Sequence, residues 1–177
     1  KVYLAKNNNF LLRYKSVREF NDDFLMVILY RDPLTHAASL LEKHRDYRKL
    51  QSEDPFVLEY MNWLGHHEFG KNHKPFVFSN SGMSFKEDTE TMDYWLKIWI
   101  NYYSYVLTIS HPRTILVSYD SYCKDPIGTL EIILEKTGIS AELPDYPPFR
   151  NRRKTDLSYS KDLYEAAQKI YLNLSTR

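Results

Sequence analysis

Arg31 and Ser39 are the residues whose types and spacing point most directly to chemistry. An arginine presents a rigid fork of donors that matches phosphate oxygens, and a hydroxyl eight residues on adds another donor. Both belong to the run Arg31-Asp32-Pro33-Leu34-Thr35-His36-Ala37-Ala38-Ser39, which follows an apolar stretch at residues 24–30. That stretch reads as a buried parallel strand, and the Asp-Pro pair as a helix start, since Asp caps well and Pro is tolerated at the first helical position. Arg31 would then sit where a strand ends and a helix begins, a place where unpaired N–H groups and the helix dipole favour an anion. The ordinary alternative is an ion pair of Arg31 with Asp32 or another carboxylate, with Ser39 as a small packing residue.

The elements that must position these residues follow a rhythm of short apolar runs and longer amphipathic stretches, which predicts an α/β fold with a parallel sheet. Residues 2–5, 24–30 and 114–119 read as strands, and residues 9–20 as a short helix with Phe10, Leu11, Tyr14 and Val17 on one face. Asp32-Pro33, Asp54-Pro55 and Asp125-Pro126 mark three helix starts. The first helix is expected to run to about Asp46, the second to carry Phe56, Leu58, Tyr60, Met61, Trp63 and Leu64 towards Gly70, and the third to stop at Gly138. Residues 71–87 lack periodicity and predict a mobile surface loop, with at most an extended piece at 76–78. A long aromatic helix follows, with Met92, Trp95, Leu96, Trp99, Tyr102, Tyr103 and Val106 as its packed stripe and His111-Pro112 as its end. A last helix at 163–174 is expected to bury Ala166, Ala167, Ile170, Tyr171 and Leu174.

Composition narrows the function classes. The 177 residues fit a single domain, 43% apolar and 15% aromatic. The net charge of +1 gives no global field to attract nucleic acid, so any anion is caught by a local cluster. The longest apolar run is far short of the roughly 20 residues of a membrane span. The lone Cys123 forms no internal disulfide, which suits a reducing compartment and makes the cytoplasm the expected location. The chain opens at Lys1 without a methionine, which suggests an internal segment, truncated in front. Its five glycines form no phosphate-cradling loop. No pair of histidines has convincing metal spacing, and no metal is expected.

Tyr30-Arg31-Asp32-Pro33 with Ser39 resembles the 3′-phosphate-binding motif of the sulfotransferases, enzymes that use 3′-phosphoadenosine 5′-phosphosulfate (PAPS) as sulfuryl donor. The aromatic helix around Trp95 and Trp99, the strand running into Tyr119-Asp120, and Lys124-Asp125-Pro126 with its helix to Thr137-Gly138-Ile139 follow that family's order. The likeness covers about residues 1–139. It implies a three-layer parallel sheet flanked by helices, of the P-loop nucleotide-hydrolase type. It implies PAPS as donor, its 3′,5′-bisphosphate (PAP) as product, and a small-molecule, lipid or carbohydrate acceptor bearing a hydroxyl or amine.

By that resemblance Arg31 and Ser39 bind the 3′-phosphate, Ser39 also orients a catalytic lysine of a phosphosulfate loop upstream of Lys1, and Lys6 stabilises charge during transfer. The family's catalytic histidine falls on Asn8, which takes no proton, so the base is open. His36, His44, His66 and His67 are the local candidates by type, with His36 nearest the motif. Arg150, Arg152, Arg153 and Lys154 resemble the basic loop that the family lays over the nucleotide, though without its glycines. Two rival readings remain: an ATP-dependent kinase of related fold, or a non-catalytic domain that has lost the donor loop.

Overall fold

The computed structural model describes residues 3–7, 9–78, 84–149 and 157–177. It is a mixed α/β fold in which helix dominates. In chain order the described elements are α1 (Phe10–Phe20), β1 (Met26–Tyr30), α2 (Pro33–Glu53), α3 (Pro55–Trp63), α4 (Met92–Leu107), β2 (Thr114–Ser118), α5 (Tyr119–Lys124), α6 (Pro126–Thr137) and α7 (Lys161–Ser175). Among the described residues β1 and β2 form one two-stranded parallel sheet, with Ile28 opposite Leu116 and Tyr30 opposite Ser118.

All three Asp-Pro pairs start helices, each by the same local chemistry. Asp32, Asp54 and Asp125 accept hydrogen bonds from the backbone N–H groups of Thr35, Phe56 and Gly128, which occupies donors a helix start otherwise leaves unpaired. Gly138 closes α6 at φ +66°, a conformation glycine adopts without strain. α2 runs past Asp46 to Glu53, because no breaker intervenes until the residue ahead of Pro55, where a helical conformation is disfavoured.

A two-stranded sheet is marginal alone, so the helices must supply the core. α4 does so, packing against both α2 and α7. Trp95, Leu96, Trp99, Tyr103 and Val106 are buried on it, each large side chain contributing about 1.5–3 kcal/mol when fully removed from water. α7 adds Ala167 and Leu174.

Several expectations are corrected. Residues 3–5 form no strand, and Tyr3 and Leu4 are 90% and 78% exposed: apolar character alone does not make a strand without a pairing partner. β1 is buried on one face only, through Ile28 and Tyr30, while Val27 and Leu29 are exposed. β2 ends at Ser118, whose hydroxyl caps α5, so Tyr119 begins a helix. α3 buries none of its residues, and Phe56, Tyr60 and Trp63 lie on an exposed face. α4 ends at Leu107, ahead of His111-Pro112. Ala166 faces solvent. Within the 71–87 segment the aromatic residues pack inward while Lys71, Lys74 and Val77 stay exposed: Phe78 is buried and stacks on Tyr105 at 4.2 Å, and Phe76 and Phe85 pack against the core. Among the described residues no helix is long and apolar enough to cross a membrane.

Candidate functional site

The carboxyl ends of the two strands meet at one junction. Asp120, in the first turn of α5, accepts from the Asp32 backbone N–H at 3.0 Å and from the Tyr171 hydroxyl at 3.2 Å, tying β2, the start of α2 and α7 together. Arg31 leaves β1 at this point, and its guanidinium lies over the Tyr119 ring, 4.9 Å from the centroid. The Tyr119 ring also meets Phe149, whose N–H donates to the Cys123 carbonyl at 2.9 Å. Asp32 takes up the tip of α2: its carboxylate accepts from Thr35 N–H and its carbonyl from His36 N–H. The first N–H groups at the tip of α2 are therefore taken by Asp32 itself, and an anion held by both Arg31 and Ser39 would have to lie beside the first two turns. At 1.5 Å per residue Ser39 stands about 10 Å up the axis from Asp32.

Beside this junction a cavity of about 350 Å³ opens between α2, α4 and residues 68–76. Phe69, Phe76, Trp95, Trp99, Tyr102 and Tyr103 supply aromatic walls, and Leu29 of β1 reaches it. His36 lines it from the first turn of α2, its ring 6.1 Å from that of Tyr103. The Tyr103 hydroxyl is spent on the Leu29 carbonyl at 2.9 Å. His36 is different: its Nδ1 is buried without a hydrogen-bond partner, as is Trp99 Nε1. Burial first, and the positive Arg31 second, push the His36 pKa down to about 4, so the ring is neutral at pH 7.

Farther along α2, His44 and His73 form a closed network. The Gly70 N–H donates to His44 Nδ1 at 3.2 Å, which places the His44 proton on Nε2, facing Thr89 Oγ1 at 3.1 Å. His73 Nδ1 faces the His67 carbonyl at 3.2 Å and so carries the proton, while its Nε2 accepts from the Tyr94 hydroxyl at 2.7 Å. Burial, then the neighbouring His73, push the His44 pKa down to about 4; burial lowers His73 as well. Burial also pushes the Tyr94 hydroxyl up to about 12. Gln51 completes the set, its Oε1 accepting from Lys71 N–H at 2.7 Å. This network holds the loop that walls the cavity against α2 and α4.

The structure brings His36 to the cavity and puts Arg31 at the strand-end junction next to it, with Ser39 partly buried one turn beyond His36 on α2. Lys6 does not join them: it is exposed ahead of α1 and makes no hydrogen bond or ion pair with the described residues. His44 is a buried structural group. His66 is exposed and faces Glu68 at 3.5 Å; the His67 carbonyl receives the His73 and Lys74 bonds. Asn8, Arg150, Arg152, Arg153 and Lys154 lie outside the described residues. Sequence reasoning missed His73, read as part of a loop, and the joining of Asp32 to Asp120. No local periodicity signals either, because both rest on contacts between distant segments. Among the described residues no group of three or more His, Cys, Asp or Glu is placed to hold a metal ion. Comparison with protein-family models, with curated proteins and with solved structures gives no match.

Proposed function

We propose that the chain is the 3′-phosphate-binding and acceptor-binding part of a PAPS-dependent sulfotransferase, its two strands belonging to a larger three-layer parallel sheet of the P-loop type. The observation that carries this reading is the adjacency of Arg31, at the carboxyl end of β1, to a half-open aromatic cavity lined by His36, whose ring feels the Arg31 charge. A donor site and an acceptor site must adjoin for group transfer, and positioning supplies much of the rate.

On this reading Arg31 and Ser39 hold the donor's 3′-phosphate, and the basic residues Arg150, Arg152 and Arg153, outside the described residues, supply further cations to the donor. The acceptor oxygen forms a bond to sulfur as the sulfur–oxygen bond to the phosphate breaks. PAP departs with that electron pair, and the acceptor's proton passes to His36 or to water. Charge grows on the departing phosphate, where fixed cations lower the barrier. His36 orients the acceptor hydroxyl, and its low pKa makes it a weak base that keeps its neutral form at working pH. Lys6 enters only if the segment ahead of α1 folds towards the donor.

The rival reading is a kinase, for which Asp120 just beyond β2 is the acidic group at a strand end, its carboxylate accepting from the Asp32 N–H and the Tyr171 hydroxyl. Calorimetric titration of the full chain with PAP and with ATP plus Mg²⁺ separates the readings. The sulfotransferase reading expects PAP to bind at least tenfold more tightly than ATP, and Arg31→Ala to weaken PAP at least tenfold. Preference for ATP makes it a kinase, and silence with both leaves a non-catalytic domain.

A further inference from the structure

We propose that the cavity between α2, α4 and residues 68–76 takes an uncharged, flat, ring-bearing alcohol with a single hydroxyl, seated against the aromatic walls with its oxygen at His36. The sulfotransferase reading bears only on what happens to that hydroxyl; the binding stands on the cavity itself.

Size is the first argument. At about 350 Å³ the cavity lies near the lower end of the range of about 300–1,000 Å³ for small-molecule sites, room for one or two fused rings. Shape and surface are the second. Trp95, Trp99, Tyr102 and Tyr103 come from successive turns of a rigid helix, and Phe69 and Phe76 close over them, giving ring faces suited to a planar apolar body.

The polar inventory decides the rest. His36, Glu68, His73 and Lys74 are the charged or imidazole side chains of the wall. Both His73 nitrogens are engaged, by the His67 carbonyl and the Tyr94 hydroxyl. Glu68, its side chain mostly buried, faces His66 at 3.5 Å, and Lys74 is exposed at the rim, so the wall's one carboxylate and one ammonium balance and leave no net charge to draw an anion. Among the described residues His36 Nδ1 and Trp99 Nε1 remain as the buried polar atoms of the wall without a hydrogen-bond partner. Both groups are neutral, so they offer a hydroxyl a hydrogen-bond partner and offer a carboxylate or phosphate no cation. A sugar fares no better, because several of its hydroxyls would be buried against ring faces without partners. Each such group costs about 1–3 kcal/mol. One hydroxyl on an apolar ring system is what this wall can satisfy.

The test is calorimetric titration of the full chain with 2-naphthol, 2-naphthoate and methyl glucoside, each with and without PAP. The proposal expects 2-naphthol to bind at least tenfold more tightly than either of the others. It expects His36→Leu to weaken 2-naphthol about tenfold, the scale of one hydrogen bond. Ile98→Trp, which fills the cavity from α4, should abolish binding; Leu40→Phe, from α2, serves if that variant does not fold. Equal or tighter binding of 2-naphthoate or the glucoside overturns the proposal, as does 2-naphthol binding that survives a folded cavity-filling variant. If PAP binds and 2-naphthol does not, the ligand assignment fails and the sulfotransferase reading stands. If 2-naphthol binds and PAP does not, the assignment stands and the sulfotransferase reading fails.

Discussion

His36 and His44 sit eight residues apart on the same helix, and burial pushes both to a pKa of about 4. Their surroundings are otherwise opposite. Both nitrogens of His44 are bonded, to Gly70 N–H and to Thr89, and its neighbours His73, Tyr94 and Gln51 are bonded in turn. Near His36, by contrast, two buried nitrogens, His36 Nδ1 and Trp99 Nε1, have no partner. Folded chains satisfy nearly all buried polar groups, so the satisfied cluster reads as architecture and the unsatisfied one as a place prepared for something else. A low pKa alone does not tell the two apart; the count of hydrogen-bond partners does.

The comparison breaks most visibly at Gly70. Its φ is +89°, and a Cβ there would stand 2.3 Å from Gln51 Oε1, so Gly70→Ala combines backbone strain with a clash against a buried, bonded side chain. We expect a loss of about 3 kcal/mol or more in urea denaturation. Next is His44→Leu, which keeps the apolar contacts but leaves the buried Gly70 N–H without an acceptor, costing about 2–3 kcal/mol in the same measurement.

Acid should act on the same cluster. The folded pKa of His44, about 4, lies below the unfolded value of 6.5, so the unfolded chain binds the proton first. Stability is therefore complete above pH 6.5, falls as pH drops from 6.5 towards 4, and flattens below. Glu90 opposes the shift while His73, Arg45 and Arg48 add to it. The expected fall from His44 is about 2–3 kcal/mol. Urea midpoints at pH 7.5, 5.5 and 4.5 check it, and His44→Leu should make the slope shallower by its own share, leaving the part due to His36 and His73, whose pKa values are lowered too. The smallest stability change is expected from His36→Leu, which removes an unsatisfied nitrogen and should leave stability within about 1 kcal/mol of the parent.

The parts of this architecture legible in sequence are those built from local chemistry. Each Asp-Pro pair caps a helix because the carboxylate, the ring and the free N–H groups lie within one turn. β1 and β2 are legible as short apolar runs, though not which face of β1 is covered, and the buried stripe of α4 is legible because its period records the covered side. The rest depends on contacts between distant segments. Residues 71–78 look like a polar loop until His73 meets Tyr94 and Phe78 meets Tyr105, and residues 3–5 look like a strand until no neighbour pairs with them. Of the candidate site, Arg31, His36 and Ser39 could be named from spacing and likeness, but the cavity could not. Its walls come from four segments that only the fold brings together.

The urea denaturation midpoint of His36→Leu at pH 7.5, measured beside that of His44→Leu, tests the division of α2 most directly. The account predicts an unchanged or slightly raised midpoint for His36→Leu and a clearly lowered one for His44→Leu. Equal destabilisation by both would mean that His36 belongs to the architecture and that the cavity beside Arg31 is not a site.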